Sequence, residues 1–130
     1  MTIRAEEEEE TKLHVAVRLH NTKLVRAALR DQGLDIDALG TYGWTALHEA
    51  ASCGYLDIVV LLLEKGADPN IQESVQRCTP IHLAAKNGHL EVVMSLVRCG
   101  ARLDLRNAEG KIPQNYADDE CRQFLQRQRE

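Results

Sequence analysis

Apolar and polar positions along this chain follow a pattern that predicts pairs of short helices separated by glycines. In the stretch from Gly43 to Asn70, small apolar residues recur after Thr45, whose hydroxyl can cap a first helix. Gly54 ends that helix, and the following run from Leu56 to Leu63 is too apolar to face water on every side. Gly66 ends the second helix. Such a unit cannot bury both of its apolar faces alone, so the pattern predicts copies stacked on either side.

Two further copies occur at a regular spacing. TKLHVA begins at Thr11 and TPIHLA begins at Thr79, at equal distances on the two sides of the TALHEA that begins at Thr45. These segments resemble the ankyrin repeat, which has a period of about 33 residues and a T-P-L-H-x-A core. The resemblance implies an all-α solenoid of stacked helix-turn-helix units with projecting β-hairpin fingers. It also implies that the histidine of each copy is a structural hydrogen-bonder between finger and helix. These histidines are His14, His48 and His82.

The resemblance covers about residues 11 to 126 and divides the chain into an arm and one repeat domain. The arm is acidic, and we expect it to be disordered because its like charges repel. It is either a solubilising tail or an arm for a basic partner. The expected units are an arm at 1–10 and a domain at 11–130, with repeats at about 11–39, 40–72 and 73–106 and a truncated cap at 107–126.

The two terminal units are expected to close the stack in different ways. Repeat one carries extra basic residues and has Asn21-Thr22 in place of the usual glycine-led turn, as suits a terminal unit that must be polar on its free face. At the other end, Phe124 and Leu125 would cover the exposed face of repeat three.

The first finger, from Asp37 to Trp44, is distinctive because it carries two of the five aromatic residues in the chain. Gly40 and Gly43 would permit positive backbone angles at its turn. Tyr42 and Trp44 would then form an exposed aromatic pair, which is the kind of anchor that dominates protein interfaces. Alternatively, Trp44 lies back against the first helix of its own repeat.

Charge and hydropathy narrow the classes of partner. The net charge is −4, and the run from Glu6 to Glu10 accounts for it, so no strongly basic surface is available for direct nucleic-acid binding. The longest apolar run, from Ile58 to Leu63, is far shorter than the roughly 20 residues of a membrane-spanning helix. The first ten residues are half glutamate and do not form a signal peptide.

The cysteines predict reduced thiols and no metal site. The four are widely and almost evenly spaced along the chain, and they form no Cys-x-x-Cys pair. Cys53 and Cys78 fall at positions expected to be partly exposed. Free thiols are typical of a cytoplasmic or nuclear protein, and we expect that localisation.

We find no catalytic motif, and we therefore expect no enzyme and no cofactor. The chain has no Gly-x-Ser-x-Gly elbow, no His-Glu-x-x-His and no phosphate-binding loop after a strand. His48-Glu49 belongs to the repeat motif, and the acidic run at residues 118–120 begins the cap helix. What remains is a protein interaction module, an adaptor or a competitive inhibitor, that is monomeric.

The resemblance also assigns a binding surface, because ankyrin fingers and the exposed sides of the first helices line one groove. An aromatic patch with one carboxylate would lie beside a more basic, amide-bearing patch, which suits an extended peptide or a loop of a folded partner. The expected partner-binding residues are Arg18, Thr41, Tyr42, Trp44, Glu49, Ser52, Cys53, Gln76, Cys78, Leu83, Lys86, Asn87, Glu109 and Lys111.

Two alternative functions stay open. Glu49 and the aromatic finger resemble a site that holds a lysine of a basic histone-type tail, although Gly40, Ser52 and Leu83 supply no companion acids. The chain is also similar in size to kinase-inhibitor ankyrin proteins. A related possibility is a regulatory subunit that binds through its convex face or its acidic arm.

Overall fold

The computed structural model describes residues 10–130, with Thr41 described by its backbone only. The expected acidic arm therefore lies outside the described residues, except for Glu10. Within the described range the chain forms eight α-helices and no β-strand, which confirms the all-α class. The helices are α1 (Lys12–Arg18), α2 (Thr22–Leu29), α3 (Ala46–Cys53), α4 (Leu56–Glu64), α5 (Pro80–Lys86), α6 (Leu90–Arg98), α7 (Pro113–Tyr116) and α8 (Asp119–Arg129).

The helices form two layers, as expected for a solenoid. The first helix of each repeat packs against the next first helix, in the order α1, α3, α5 and α7. The second helices, α2, α4, α6 and α8, form the outer layer in the same order. The core runs between the layers and is filled by fully buried aliphatic residues such as Leu47, Ile58, Leu62, Ile81 and Leu96. Burying one such side chain contributes about 1.5–3 kcal/mol, and this burial holds the stack together.

A repeated hydrogen-bond pattern links each repeat to the next. The Thr45 hydroxyl accepts a bond from the His48 backbone N–H at 3.2 Å, and His48 Nδ1 accepts one from the Thr45 N–H at 3.1 Å. On its other side, His48 Nε2 lies 2.9 Å from the carbonyl oxygen of Cys78 in the next finger. Because a carbonyl oxygen only accepts, Nε2 must carry a proton. Nδ1 accepts a bond and therefore carries none, so the His48 ring is neutral. The predicted structural role of this histidine is therefore confirmed.

The same arrangement recurs along the stack. His14 Nε2 donates to the carbonyl of Trp44 at 3.0 Å, and His82 Nε2 donates to that of Lys111 at 2.9 Å. Burial lowers the pKa of His48 and of His82 below the ordinary value, which favours the neutral rings that these bonds require.

The fingers are tighter than predicted, and they are not β-hairpins with paired strands. The first is closed by a backbone bond from the Gly40 N–H to the carbonyl of Trp44 at 2.8 Å, and the Gly43 N–H donates to the Gly40 carbonyl at 2.9 Å. The expectation of a positive φ at Gly40 is wrong, because its φ is −101°. Positive φ angles occur instead at Tyr42 (67°) and Gly43 (70°). Gly40 is needed for space, since a Cβ there would lie 2.7 Å from the His14 ring.

The C-terminal end of the stack is covered as predicted. Leu125 and Cys121 of α8 are fully buried, and Phe124 packs half-buried against the same core. The Asp118 side chain caps α8 by accepting a bond from the Cys121 N–H at 3.0 Å. The helix continues to Arg129, slightly beyond the expected end of the cap.

The N-terminal end differs from the prediction of a polar face. Val15 is 41% exposed and Leu24 is 46% exposed. Together with neighbouring side chains they form a shallow apolar surface depression of about 360 Å³, which we call the N-terminal groove. The groove is lined by Lys12, Val15, Ala16, Leu24, Ala27 and Ala28. The charged residues of repeat one are present, but they surround an apolar surface rather than replace it.

The turn between α1 and α2 is also built differently from the expected one. His20, not Asn21, occupies the position that Gly54 holds one repeat later, and both have a positive φ, 51° and 76°. The His20 ring stacks on Tyr55 with ring centroids 3.8 Å apart, a contact that no glycine could make. Asn21 instead caps α2 by accepting a bond from the Leu24 N–H at 3.1 Å.

Candidate functional site

Three of the predicted binding residues lie in one row across the first helices. Arg18, Ser52 and Lys86 occupy equivalent positions in α1, α3 and α5, each one repeat after the last. Because these helices pack side by side, the three side chains follow one another along the same surface. The fingers stand beside this row, and together they form the groove.

A pocket of about 410 Å³ opens at one end of the groove. We call it the aromatic pocket, and it is lined by Val17, Arg18, Tyr42, Trp44, Glu49, Cys53 and Tyr55. Tyr42 is 78% exposed, whereas Trp44 is half-buried with its ring 6.1 Å from that of His48. Trp44 therefore lies back against its own first helix, and Tyr42 projects alone. A second pocket of about 230 Å³ also contacts Tyr42 and Trp44, and Val75 and Gln76 of the next finger line it.

The charged groups at the aromatic pocket form ion pairs with one another. The Arg18 guanidinium donates to both carboxylate oxygens of Glu10, at 2.8 Å for one of them, and to Glu49 at 3.2 Å. The bonds to Glu10, and then the charge of Glu49, raise the pKa of Arg18 above its ordinary value. Because the Glu49 carboxylate already faces Arg18, a lysine from a basic tail would have to compete with it.

The opposite end of the groove carries a basic cluster that we call the lysine patch, formed by Lys86, Lys111, Tyr116 and Glu109. The ammonium groups of Lys86 and Lys111 lie 5.3 Å and 5.4 Å from the centre of the Tyr116 ring. The Tyr116 hydroxyl donates to Glu109 at 2.6 Å. This bond, and then the charge of Lys111, lower the pKa of Glu109, and the same bond raises the pKa of Tyr116 to about 12.

Tyr116 was absent from the sequence-based set, although a signal for it exists. Counting from the cap residue of each first helix, Tyr116 in α7 is equivalent to Leu83 in α5 and Glu49 in α3. It therefore occupies a groove position within a segment that had been assigned only a capping role. Tyr55 and Val75 were missed as well, because each enters the groove from a turn or finger rather than from a first helix.

The prediction that Cys78 and Leu83 contact a partner is wrong, because both side chains are buried. Cys78 has no exposed surface, and its sulfur lies 3.6 Å from the Asn107 side-chain amide of the next finger. Burial also raises the pKa of its thiol. Leu83 is 7% exposed, since α5 packs between α3 and α7 and against α6.

The remaining predicted residues lie on or beside the groove. Asn87 donates its side-chain amide to the Ser52 carbonyl at 2.9 Å and to the Ser52 hydroxyl at 3.2 Å, so this pair joins α3 to α5. Cys53 and Gln76 are exposed. Nothing is described of the Thr41 side chain.

The residues described contain neither a candidate metal-ion cluster nor a membrane-spanning helix. Within 10–130, His, Cys, Asp and Glu side chains form no group of three that could hold a metal ion. The four cysteines are free thiols. Among the helices of the same range, none is both long and apolar enough to span a bilayer.

Comparison with known families identifies the architecture. Residues 2–73 match the family model described as "Ankyrin repeats (3 copies)", and residues 54–96 match "Ankyrin repeats (many copies)". The chain belongs to the ankyrin repeat family. Ankyrin repeats are protein-protein interaction modules and are generally non-catalytic.

The curated relatives contain ankyrin segments within much longer chains. E3 ubiquitin-protein ligase Ufd4 of Drosophila melanogaster is 35% identical over 101 residues, which cover 78% of this chain and 4% of that protein. Inactive serine/threonine-protein kinase TEX14 of Bos taurus is 36% identical over 112 residues, which cover 83% of this chain and 7% of that protein. E3 ubiquitin-protein ligase HACE1 of Homo sapiens is 35% identical over 84 residues, which cover 62% of this chain and 9% of that protein. This ankyrin chain thus spans less than a tenth of the length of these three relatives.

Proposed function

We propose that this ankyrin chain is a non-enzymatic adaptor or competitive inhibitor that binds an extended peptide, or a loop of a partner protein, along its groove. The aromatic pocket carries this proposal. It combines an apolar wall with a projecting tyrosine, and large aromatic anchors in such pockets contribute most of the energy of protein interfaces. A volume of about 410 Å³ suits one or two side chains of a partner.

The surroundings of the pocket favour a peptide over a small molecule. The groove continues past the pocket to Ser52, Asn87 and the lysine patch, so a longer ligand would make contacts on several repeats. We further propose that the module is monomeric, acts in the cytoplasm or nucleus where its free thiols stay reduced, and binds no nucleic acid directly.

The test uses a random displayed-peptide library selected on the purified full chain. Affinities of the selected peptides would be measured by fluorescence anisotropy for the wild type and for Tyr42→Asn. Asparagine removes the ring and tolerates the positive φ of this position better than alanine does. We expect Tyr42→Asn to weaken binding by about 30-fold, which corresponds to the loss of a strong interface anchor.

Two further variants make the result specific. Cys53→Trp would fill the aromatic pocket with a bulky side chain and block it, so it should weaken the same peptides. Val60→Ala removes an exposed apolar side chain from α4 on the convex side and should leave affinity unchanged. A selection that enriches no peptide, or peptides that bind all variants equally, would refute groove binding. Sensitivity to Val60→Ala or to deletion of residues 1–9 would place binding on the convex face or the arm.

A further inference from the structure

The two ends of the groove differ in charge balance, and this difference constrains the chemistry of the partner. At the aromatic pocket, the single guanidinium of Arg18 faces two carboxylates, those of Glu10 and Glu49. At the lysine patch, the ammonium groups of Lys86 and Lys111 face one carboxylate, that of Glu109. This carboxylate accepts a hydrogen bond from the Tyr116 hydroxyl. Lys86 and Lys111 are both exposed, and neither forms a salt bridge within residues 10–130.

We propose that the partner is a peptide segment with two separate determinants: a bulky apolar side chain that enters the aromatic pocket and a carboxylate side chain that binds Lys86 and Lys111. This inference rests on the proposed function and specifies the ligand of the same groove. A carboxylate at the lysine patch would balance its excess positive charge, whereas a basic side chain there would be repelled.

Tyr116 makes the patch a defined surface rather than two independent lysines. Both ammonium groups lie over one aromatic ring, which attracts them through its negative face and limits where they extend. The ring is itself fixed by the bond between its hydroxyl and Glu109, and it meets the His82 ring edge-on at 6.1 Å. The side chains that would receive the carboxylate are therefore partly ordered before the peptide binds, which lowers the entropy lost on binding.

The stacking of the helices sets the distance between the two determinants. The aromatic pocket lies between α1 and α3, and the lysine patch lies between α5 and α7, so they are two helix-to-helix steps apart. Packed helices are about 8–10 Å apart, which gives about 16–20 Å. An extended peptide rises about 3.3 Å per residue. The acidic residue should therefore lie about five or six positions from the apolar anchor.

The middle of the groove is compatible with a peptide backbone crossing it. Ser52 and Asn87 lie between the two determinants and carry no charge. The Asn87 amide and the Ser52 hydroxyl are already bonded to each other, yet each keeps further capacity to donate or accept. This region would tolerate many side chains, so sequence selectivity should be concentrated at the two ends.

The test begins with the peptides enriched by the displayed library. We expect an aromatic or large aliphatic residue and an Asp or Glu about five or six positions apart. Each selected peptide would be synthesised with its acidic residue and with Gln or Asn in that position. The neutral form should bind the wild-type chain several-fold more weakly and show less dependence on salt between about 0.1 M and 1 M, where the screening length falls from about 10 Å to about 3 Å.

Charge reversal on the protein provides the decisive comparison. Lys86→Glu combined with Lys111→Glu should weaken the acidic peptides by about tenfold. A peptide with Arg at the acidic position should recover binding to that double variant. Lys65→Glu, which reverses an exposed charge at the end of α4, is the matched control and should have no effect. Lys86→Gln with Lys111→Gln would replace the double reversal if the latter unfolds, as judged by circular dichroism.

The outcomes separate this inference from the proposed function. Peptides that depend on Tyr42 but carry no acidic residue at the expected spacing, or that bind the lysine variants normally, would refute the acidic determinant and leave groove binding intact. Peptides that carry the acid but bind Tyr42→Asn normally would refute the aromatic anchor. An empty selection would refute both.

Discussion

The two ends of this ankyrin stack are built from similar helices but are closed to different degrees. At the C-terminal end, α8 buries Leu125 completely and Phe124 in part. At the N-terminal end, Val15 and Leu24 remain exposed in an apolar groove, although α1 and α2 carry four basic residues. The comparison shows that charged residues on a terminal helix do not by themselves cover its free face. A cover requires a helix whose apolar stripe points inward.

Removal of the C-terminal cover should have the largest effect. A chain that ends after Asn115 lacks Tyr116 and α8, so it exposes the sides of α6 and α7 that α8 covers. We expect partial unfolding or self-association, because a stack of this size is near the minimum for cooperative folding. Thermal unfolding followed by circular dichroism, together with sedimentation velocity, would measure both. A sharp transition at the wild-type temperature with a monomeric species would contradict this prediction.

A matched pair of substitutions compares the two ends directly. Leu125→Ala removes a fully buried side chain and should lower the free energy of unfolding by about 2–5 kcal/mol. Leu24→Ala makes the same chemical change at the open end, where nearly half of the side chain is already in water, and should cost less than about 1 kcal/mol. Urea denaturation of both variants provides the measurement. Equal losses would mean that the N-terminal groove is covered in solution.

Acidification should produce a smaller change, because it acts through two buried histidines in the second and third repeats. Burial lowers the pKa of His48 and His82, so in mild acid the unfolded chain binds more protons than the folded one. The free energy of unfolding should fall as the pH drops below about 6.5, the ordinary pKa of histidine, toward the lower pKa values that these histidines have in the folded state. Carboxylates with a lowered pKa, such as those of Asp31 and Asp104, weaken the fold only at lower pH, near their unfolded values of about 4.

Thermal melts between about pH 7 and pH 5 would isolate the histidine contribution, because carboxylates remain ionised over most of that range. His20→Asn is the control, since it removes an exposed histidine at the open end and leaves the buried ones unchanged. A melting temperature that does not change with pH, or a change that disappears in His20→Asn, would exclude the buried histidines as the cause.

The sequence was most informative where structure depends on local spacing. Thr45 predicted the N-terminal cap of α3, and Gly54 predicted its end. The apolar residues of α8 predicted its inward face. In each case a residue acts on neighbours within one helical turn, or on the nearest repeat at a fixed offset.

Prediction was less successful where one repeat covers another. Cys78 is aligned with Trp44, yet it is buried because Asn107 of the following finger lies against it. Leu83 is aligned with Glu49, yet it lies in a helix with neighbours on both sides. Tyr116 was missed for the opposite reason, because α7 has no further first helix beside it. Exposure in the groove depends on the next repeat, and a single repeat's sequence does not contain that information.

The bonds from His14, His48 and His82 to the following finger have a consequence for how such a chain changes over time. Each bond ends in the adjacent repeat, so duplicating one repeat would supply its own threonine, histidine and acceptor carbonyl without altering those already present. The groove would lengthen by one helix, or by about three residues of bound peptide. Ligand length and binding register can therefore be altered by gene duplication in whole steps, while the two end determinants keep their own chemistry.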